Sequence, residues 1–200
     1  LRFQLENGMR IMVYGSISIF ESRGQIQFIV VKLEISGVGA LYQAYETLKN
    51  KLQEEGLFSS EHKMDIKATP KTVGIVTSGE GAAIKDILNI LERRSPFLNI
   101  IFRPARVQGV GAAEDISGAI MELSNNYNID TIIIGRGGGS IEDLWAFNEE
   151  ILARTIFDCN TPIISAVGHE TDYTIADFVA DIRAATPSVA VELVCISKDE

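Results

Sequence analysis

The sequence predicts an α/β fold, a doubly wound and mostly parallel sheet with helices on both faces, preceded by strands of a smaller β unit. Three observations predict it. From residue 72 onward, short and almost unbroken apolar runs ("TVGIVTS", "NIIFRPA", "DTIIIG", "PIISAVG") alternate with stretches of helical spacing. Strands that are apolar on both faces belong to parallel sheets covered on both sides. Before residue 72 the pattern differs, with an Ile-, Val- and Phe-rich stretch at 9–35 interrupted by "ESRG".

Taken in order, residues 9–35 read as a β-hairpin turning at Gly24. A lone hairpin is marginal in water, so these strands are expected to belong to a small β-domain. The chain opens at Leu1 already reading like the interior of a domain, and is expected to be a fragment of a longer protein. Leu41, Tyr45, Leu48 and Leu52 recur at helical spacing, which predicts an amphipathic helix over 39–55 stopped by Gly56. The polar stretch "SSEHKMDIKATPK", 59–71, reads as a linker and domain boundary. Four strand-then-helix units follow, with helices expected near 82–94, 112–126, 141–157 and 174–181.

Composition narrows the function classes. With 46% hydrophobic and 22% charged residues the chain is neither disordered nor fibrous. No apolar run approaches the roughly 18 residues of a membrane span, so the expectation is a cytoplasmic protein with no membrane partner. Cys159 and Cys195 lack metal-ligand spacing and read as buried small hydrophobes. A net charge of −9 argues against a generic nucleic-acid surface, but residues 1–136 carry 15 acids and 15 bases while 137–200 carry 12 and 3. The acidity is therefore local, and local chemistry decides.

In open parallel sheets ligands bind beyond the carboxyl ends of the strands. The first such loop, "TSGEGAAIKD", brings Ser78, Gly79 and Gly81 to the start of a helix whose free N–H groups suit an anion. It is neither a full GxGxxG nor a P-loop. Asp86, about one turn into that helix, reads either as a solvated acid or as a group leaning toward the strand ends.

The loop "GRGGGS" sets Arg136 at a strand end, followed by Gly137, Gly138, Gly139 and Ser140. Successive glycine amides form an anion-binding concavity, and a guanidinium can fork onto two phosphate oxygens. Ser140 with Asp143 reads as a capping-box variant starting the next helix. Glu142 and Asp143 are alternatively candidate ligands for a hard cation. Trp145 reads as a core residue rather than a base-stacking one.

The last loop, "VGHETDYTIAD", places His169 after a strand end with Glu170 and Asp172 beside it. Thr174 and Asp177 form a capping box, which leaves Asp172 in the loop. A histidine near a carboxylate is suited to proton transfer near neutral pH.

Three stretches, "IGRGGGSIEDLWAFNEE", "SAVGHETDYTIADFVADIRAATPS" and "GAAIKDIL", resemble the large subunit of bacterial exodeoxyribonuclease VII in sequence and order. The resemblance implies an exonuclease that hydrolyses single-stranded DNA from either end to 5′-phosphorylated products. It implies the catalytic set Asp86, Arg136, His169 and Asp172. It further implies that residues 1–35 are the later strands of a truncated OB-fold that binds single-stranded DNA, 36–71 a helix and linker, and 72–200 the catalytic α/β domain. A small subunit would bind through a C-terminal region beyond Glu200, and the fragment alone is expected to be weakly active or inactive. Whether Mg²⁺ takes part is left open. "SGEG" in the first loop departs from the family's proline and small polar residue, which bears on that loop's phosphate contact. The alternative from another class is a non-catalytic module binding single-stranded DNA or a nucleotide.

Overall fold

The computed structural model describes residues 11–20, 24–35, 38–168 and 173–195. The chain forms two compact units, Leu1–Ala44 and Tyr45–Glu200.

In the first unit, β1 (Ile11–Phe20) and β2 (Gln25–Ile35) pair antiparallel. The register shifts between Tyr14 and Gly15, where a Cβ on Gly15 would lie 2.0 Å from the Ile29 carbonyl oxygen. Ile17, Ile26 and Val31 are 75%, 78% and 82% exposed, so the ribbon presents β-branched residues with no layer over them among the described residues.

α1 (Val38–Glu54) follows, and within the second unit its Tyr45 and Leu52 are buried with Leu48 packed beside them. This is the apolar stripe that the spacing predicts. Gly56, at φ +84°, then ends the helix in the left-handed region.

The stretch 59–71 is pinned to the second unit rather than loose. Asp181 accepts hydrogen bonds from the Met64 amide on Oδ1 and the Ile163 amide on Oδ2, both at 2.6 Å. Asp130 accepts from Lys67 Nζ, Lys71 N and Thr72 N. These carboxylates satisfy strand-end amides that would otherwise be orphaned.

The second unit is built on five parallel strands in the order β4 (Asn99–Pro104), β3 (Thr72–Thr77), β5 (Thr131–Gly135), β6 (Ile163–Ala166) and β7 (Ile182–Arg183). Alternation along each strand splits the core into two layers. Val76, Ile132, Ile134 and Ile163 pack with α3 (Ala112–Asn126), α4 (Glu150–Asp158) and α5 (Ile175–Val179). Val73, Ile75, Ile133 and Ile164 pack on the other face with α2 (Ala82–Arg94) and α6 (Pro187–Val194). The doubly wound α/β class expected from the sequence is thus the observed one.

β7 and α6 extend the four expected units. Cys159 is buried as expected, but Cys195, at the C-cap of α6, is only half-buried, packed against the margin of the core layer beneath that helix. No helix among the described residues is long and apolar enough to cross a membrane.

The strand order positions the site. From β3 the chain runs to β4 on one side and then crosses back to β5 on the other. The β3 exit leads to α2 on one face, and the β5 exit leads to α4 on the opposite face. The two loops therefore diverge at the carboxyl edge, at the topological switch point where such sheets bind ligands.

Candidate active site at the carboxyl edge

Gly135 ends β5 against β6 at very close range. A Cβ there would lie 2.6 Å from the Ala166 carbonyl oxygen, the same oxygen that accepts from Arg136 N at 3.2 Å. A glycine at this position lets the two backbones meet and fixes where Arg136 leaves the sheet.

The guanidinium of Arg136 turns back onto its own loop. Nε donates to Gly137 O at 2.8 Å, Nη2 to Gly138 O at 3.4 Å, and Nη1 to Asp143 O. The sequence suggested that it would simply fork outward to phosphate. Instead, three carbonyls converge on it, and the trans peptide geometry turns the following amides, Gly138 N–H and Gly139 N–H, away from the cation. Gly137, Gly138, Gly139 and Ser140 are all exposed, so those amides face solvent. Arg136 thereby organises a loop whose outward face is donor-rich, the arrangement an anion requires.

The expected helix over 141–157 is corrected by the structure. Residues 141–144 form turns, Trp145–Asn148 is a 3-10 helix, and α4 begins only at Glu150. The physical reason lies in the same clamp: Arg136 Nη1 takes the Asp143 carbonyl that an α-helix would offer to Phe147. Phe147 N bonds Leu144 O instead, at 2.9 Å, which tightens the ladder to i→i+3. One half of the Ser140–Asp143 box is present, since Asp143 Oδ2 accepts from Ser140 N and Oγ at 3.1 and 3.0 Å. It closes a turn instead of starting a long helix. Trp145 is half-buried against the core.

At the exit of β3, Ser78 is half-buried and Gly79 is exposed. Gly81 is the N-cap of α2 and has no side-chain cap; a Cβ on it would strike Ser78 Oγ at 2.4 Å. The first turn of α2 itself carries no acid, while the exposed Glu80 directly precedes its cap. Asp86 is exposed on the second turn.

After β6, Val167 and Gly168 are buried at the same carboxyl edge. His169, Glu170 and Asp172 lie outside the described residues. The structure resumes on their far side with the expected capping box: Thr174 N and Oγ1 both donate to Asp177 Oδ2, at 2.8 and 2.9 Å. Asp177 also accepts from Ser165 Oγ at 2.6 Å, which ties the cap to β6. Asn148 Oδ1 accepts from Ile175 N, so the β5 exit and the start of α5 are bolted together. Sequence reading missed Ser165 and Asn148. The only signal was a polar residue inside an otherwise apolar strand or buried turn.

Glu142 is exposed, and the Asp143 carboxylate is committed to Ser140. Among the described residues, no three His, Cys, Asp or Glu side chains gather as a metal-binding group, so Glu142 and Asp143 do not form one there. Farther along the edge, desolvation and the neighbouring Glu114 carboxylate raise the pKa of Glu149. A cleft of about 660 Å³ lined by Pro70, Arg94, Phe97 and Val194 lies at the opposite, amino end of the strands and is mostly apolar. It contains none of the candidate residues.

Comparison with known proteins gives a consistent result. The family model described as exonuclease VII, large subunit, matches residues 57–200. Curated relatives called exodeoxyribonuclease 7 large subunit include that of Lachnoclostridium phytofermentans, 56% identical over 193 residues (96% of this chain, 48% of the relative). That of Geotalea daltonii is 54% identical over 200 residues (100% and 45%), and that of Bacillus subtilis 55% over 193 (96% and 43%). The chain spans about half the length of the curated relatives it matches. With glycine loops converging on a topological switch point and a family model covering more than half its residues, this chain belongs to the exonuclease VII large-subunit family.

Proposed function

We propose that the carboxyl edge of this sheet hydrolyses phosphodiester bonds of single-stranded DNA from either end, leaving 5′-phosphorylated products. The observation that carries the proposal is the pairing, across the switch point, of an Arg136-organised amide loop with the N-terminus of α2, whose cap offers no side chain and whose first turn holds no acid. Both are anion seats, and they lie on adjacent strands.

A 5′-phosphorylated product requires water to attack phosphorus while the 3′ oxygen leaves. The amides of residues 137–139 and the remaining donors of Arg136 stabilise the charge that builds on the non-bridging oxygens. Ser78, Gly79 and Gly81 hold phosphate, and Ser140, whose N–H and hydroxyl both donate to Asp143, joins them only by releasing that carboxylate. His169 moves a proton, from the water or to the leaving 3′ oxygen, and Asp172 orients it. Asp86 offers a carboxylate to the attacking water. His169 and Asp172 come within six positions of the carboxyl end of β6 in the sequence, which supports their assignment.

The exposed β-ribbon of the first unit supports a further part of the reading. Two strands with Ile17, Ile26 and Val31 uncovered need more strands to bury them, and we assign them to an OB-fold-like unit that grips single-stranded DNA. That the relatives are called large subunits supports assembly with a small subunit, and we assign that assembly to the cytoplasm and to parts of the relatives' length that this chain does not cover.

The test is His169→Ala in the full-length protein, assayed on labelled single-stranded and duplex DNA with and without chelator. Hydrolysis is expected to vanish while single-stranded DNA binding persists. Wild-type activity in that variant would remove His169 from the mechanism.

A further inference from the structure

At the carboxyl end of β3, Thr77 is 1% exposed, and its hydroxyl has no hydrogen-bond partner among the described residues. A buried hydroxyl without a partner is costly, and such groups are rare enough to require a reason. Val73 and Ile75 face the α2 layer, so alternation puts Thr77 on that face too, beneath the first turn of α2. The first turn of α2 has donors of its own to give, because its N-cap Gly81 supplies no side-chain cap and the turn itself holds no acid, the exposed Glu80 standing one residue before the cap. Between Thr77 and the helix runs the turn Ser78–Gly81, which contains two glycines.

The backbone chemistry links these orphans. In a trans peptide the N–H and the C=O point in opposite directions. Any rotation that aims an amide of the Ser78–Gly81 turn outward at an anion swings the carbonyl of the same peptide inward, toward the Thr77 hydroxyl. Glycine on either side makes the rotation cheap.

We propose that Thr77 is a positioning residue for substrate phosphate: its hydroxyl, without a partner among the described residues, donates to an inward carbonyl of the β3–α2 turn when that turn presents its amides to the DNA strand. The inference rests on the carboxyl-edge reading above and adds a residue that touches the turn, not the substrate. It gives the hydroxyl opposite effects in the two states. In the free protein it is a liability, whereas in the complex it is a hydrogen bond.

The experiment compares Thr77→Val, Thr77→Ser and Arg136→Ala in the full-length protein, measuring the thermal midpoint without DNA, then KM and kcat on a single-stranded oligonucleotide. Thr77→Val keeps the shape and removes the hydroxyl. Its midpoint is expected to be equal to or above wild type. KM should rise roughly threefold to tenfold, the worth of one net hydrogen bond, with kcat little changed, and Thr77→Ser should recover KM.

An unchanged KM in Thr77→Val, or a lowered midpoint with no recovery in Thr77→Ser, overturns the inference. If Arg136→Ala destroys activity while Thr77→Val is silent, this inference alone fails. If Arg136→Ala retains wild-type activity, the carboxyl-edge reading fails and takes this one with it.

Discussion

Adding a single methyl group at Gly139 tests the Arg136 loop most directly. A Cβ at this position would lie 2.9 Å from Asp143 Cβ and 3.0 Å from both Asp143 Oδ2 and Arg136 Nη2. The two polar atoms end flexible side chains and can swing aside, but Asp143 Cβ is fixed to the backbone. Carbon–carbon contact needs about 3.5 Å or more, so the loop must open by roughly 0.6 Å. Asp143 would then move relative to Arg136 and Ser140, both of which it holds. Displacements approaching 1 Å in positioning groups cost up to about a hundredfold in rate, so Gly139→Ala is expected to lower kcat/KM about tenfold to a hundredfold, or ~1.4–2.7 kcal/mol.

Gly137→Ala is the control, because a Cβ there meets nothing within 4 Å. Neither glycine is among the positive-φ residues, so backbone strain does not separate the two variants. The loop is exposed, and both variants should keep the wild-type unfolding free energy, read by urea titration, to within about 0.5 kcal/mol. The assay is kcat/KM on single-stranded DNA in the full-length protein. Equal activity in the two alanine variants would refute the claim that the Arg136–Asp143 clamp shapes the loop.

Two predictions concern stability. The Lys67 ammonium, ahead of the Lys71 and Thr72 amides, lowers the pKa of Asp130, more than offsetting the opposing effect of burial. With the folded pKa below the unfolded value of about 3.9, the contribution is fully present above that value and disappears as pH falls through the folded pKa. Asp130→Asn should therefore cost about 1–3 kcal/mol at neutral pH, and the gap should close on acidification; urea titrations that show a pH-independent gap would refute this. Gly135→Ala drives a methyl carbon to 2.6 Å from a β6 backbone oxygen and should destabilise by about 1–3 kcal/mol or more, read as a lowered thermal midpoint; an unchanged midpoint would show that β5 and β6 can separate freely.

The sheet was legible because each strand is an apolar run closed by a turn signal, and the helix at 82–94 was placed correctly for the same reason. "TIAD" spells out a capping box, and the structure contains it in full. The error at 141–157 has a definite origin. Ile141, Leu144 and Trp145 fit a helical stripe, but the competing acceptor demand comes from a guanidinium reaching the Asp143 carbonyl from Arg136, outside the predicted helix. No window of local spacing contains that information. Thr77 is illegible for a related reason, since a threonine at a strand end carries no signal until its burial and its lack of a partner among the described residues are known. His169 and Asp172 came from their place in the sequence and their resemblance to the family, and fall outside the described residues.

The clamp on Arg136 also bears on how the protein responds to salt. A groove lined with lysines binds a polyanion largely by displacing its condensed counterions, and such binding weakens steeply as salt rises. In this loop the one cation already has its field shared among three carbonyl dipoles, and the donors facing outward are uncharged amides. On the proposed reading, a strand seated there expels few ions at the reacting phosphate. An acidic chain of net charge −9 can then hold that phosphate at salt concentrations that would strip DNA from a basic surface.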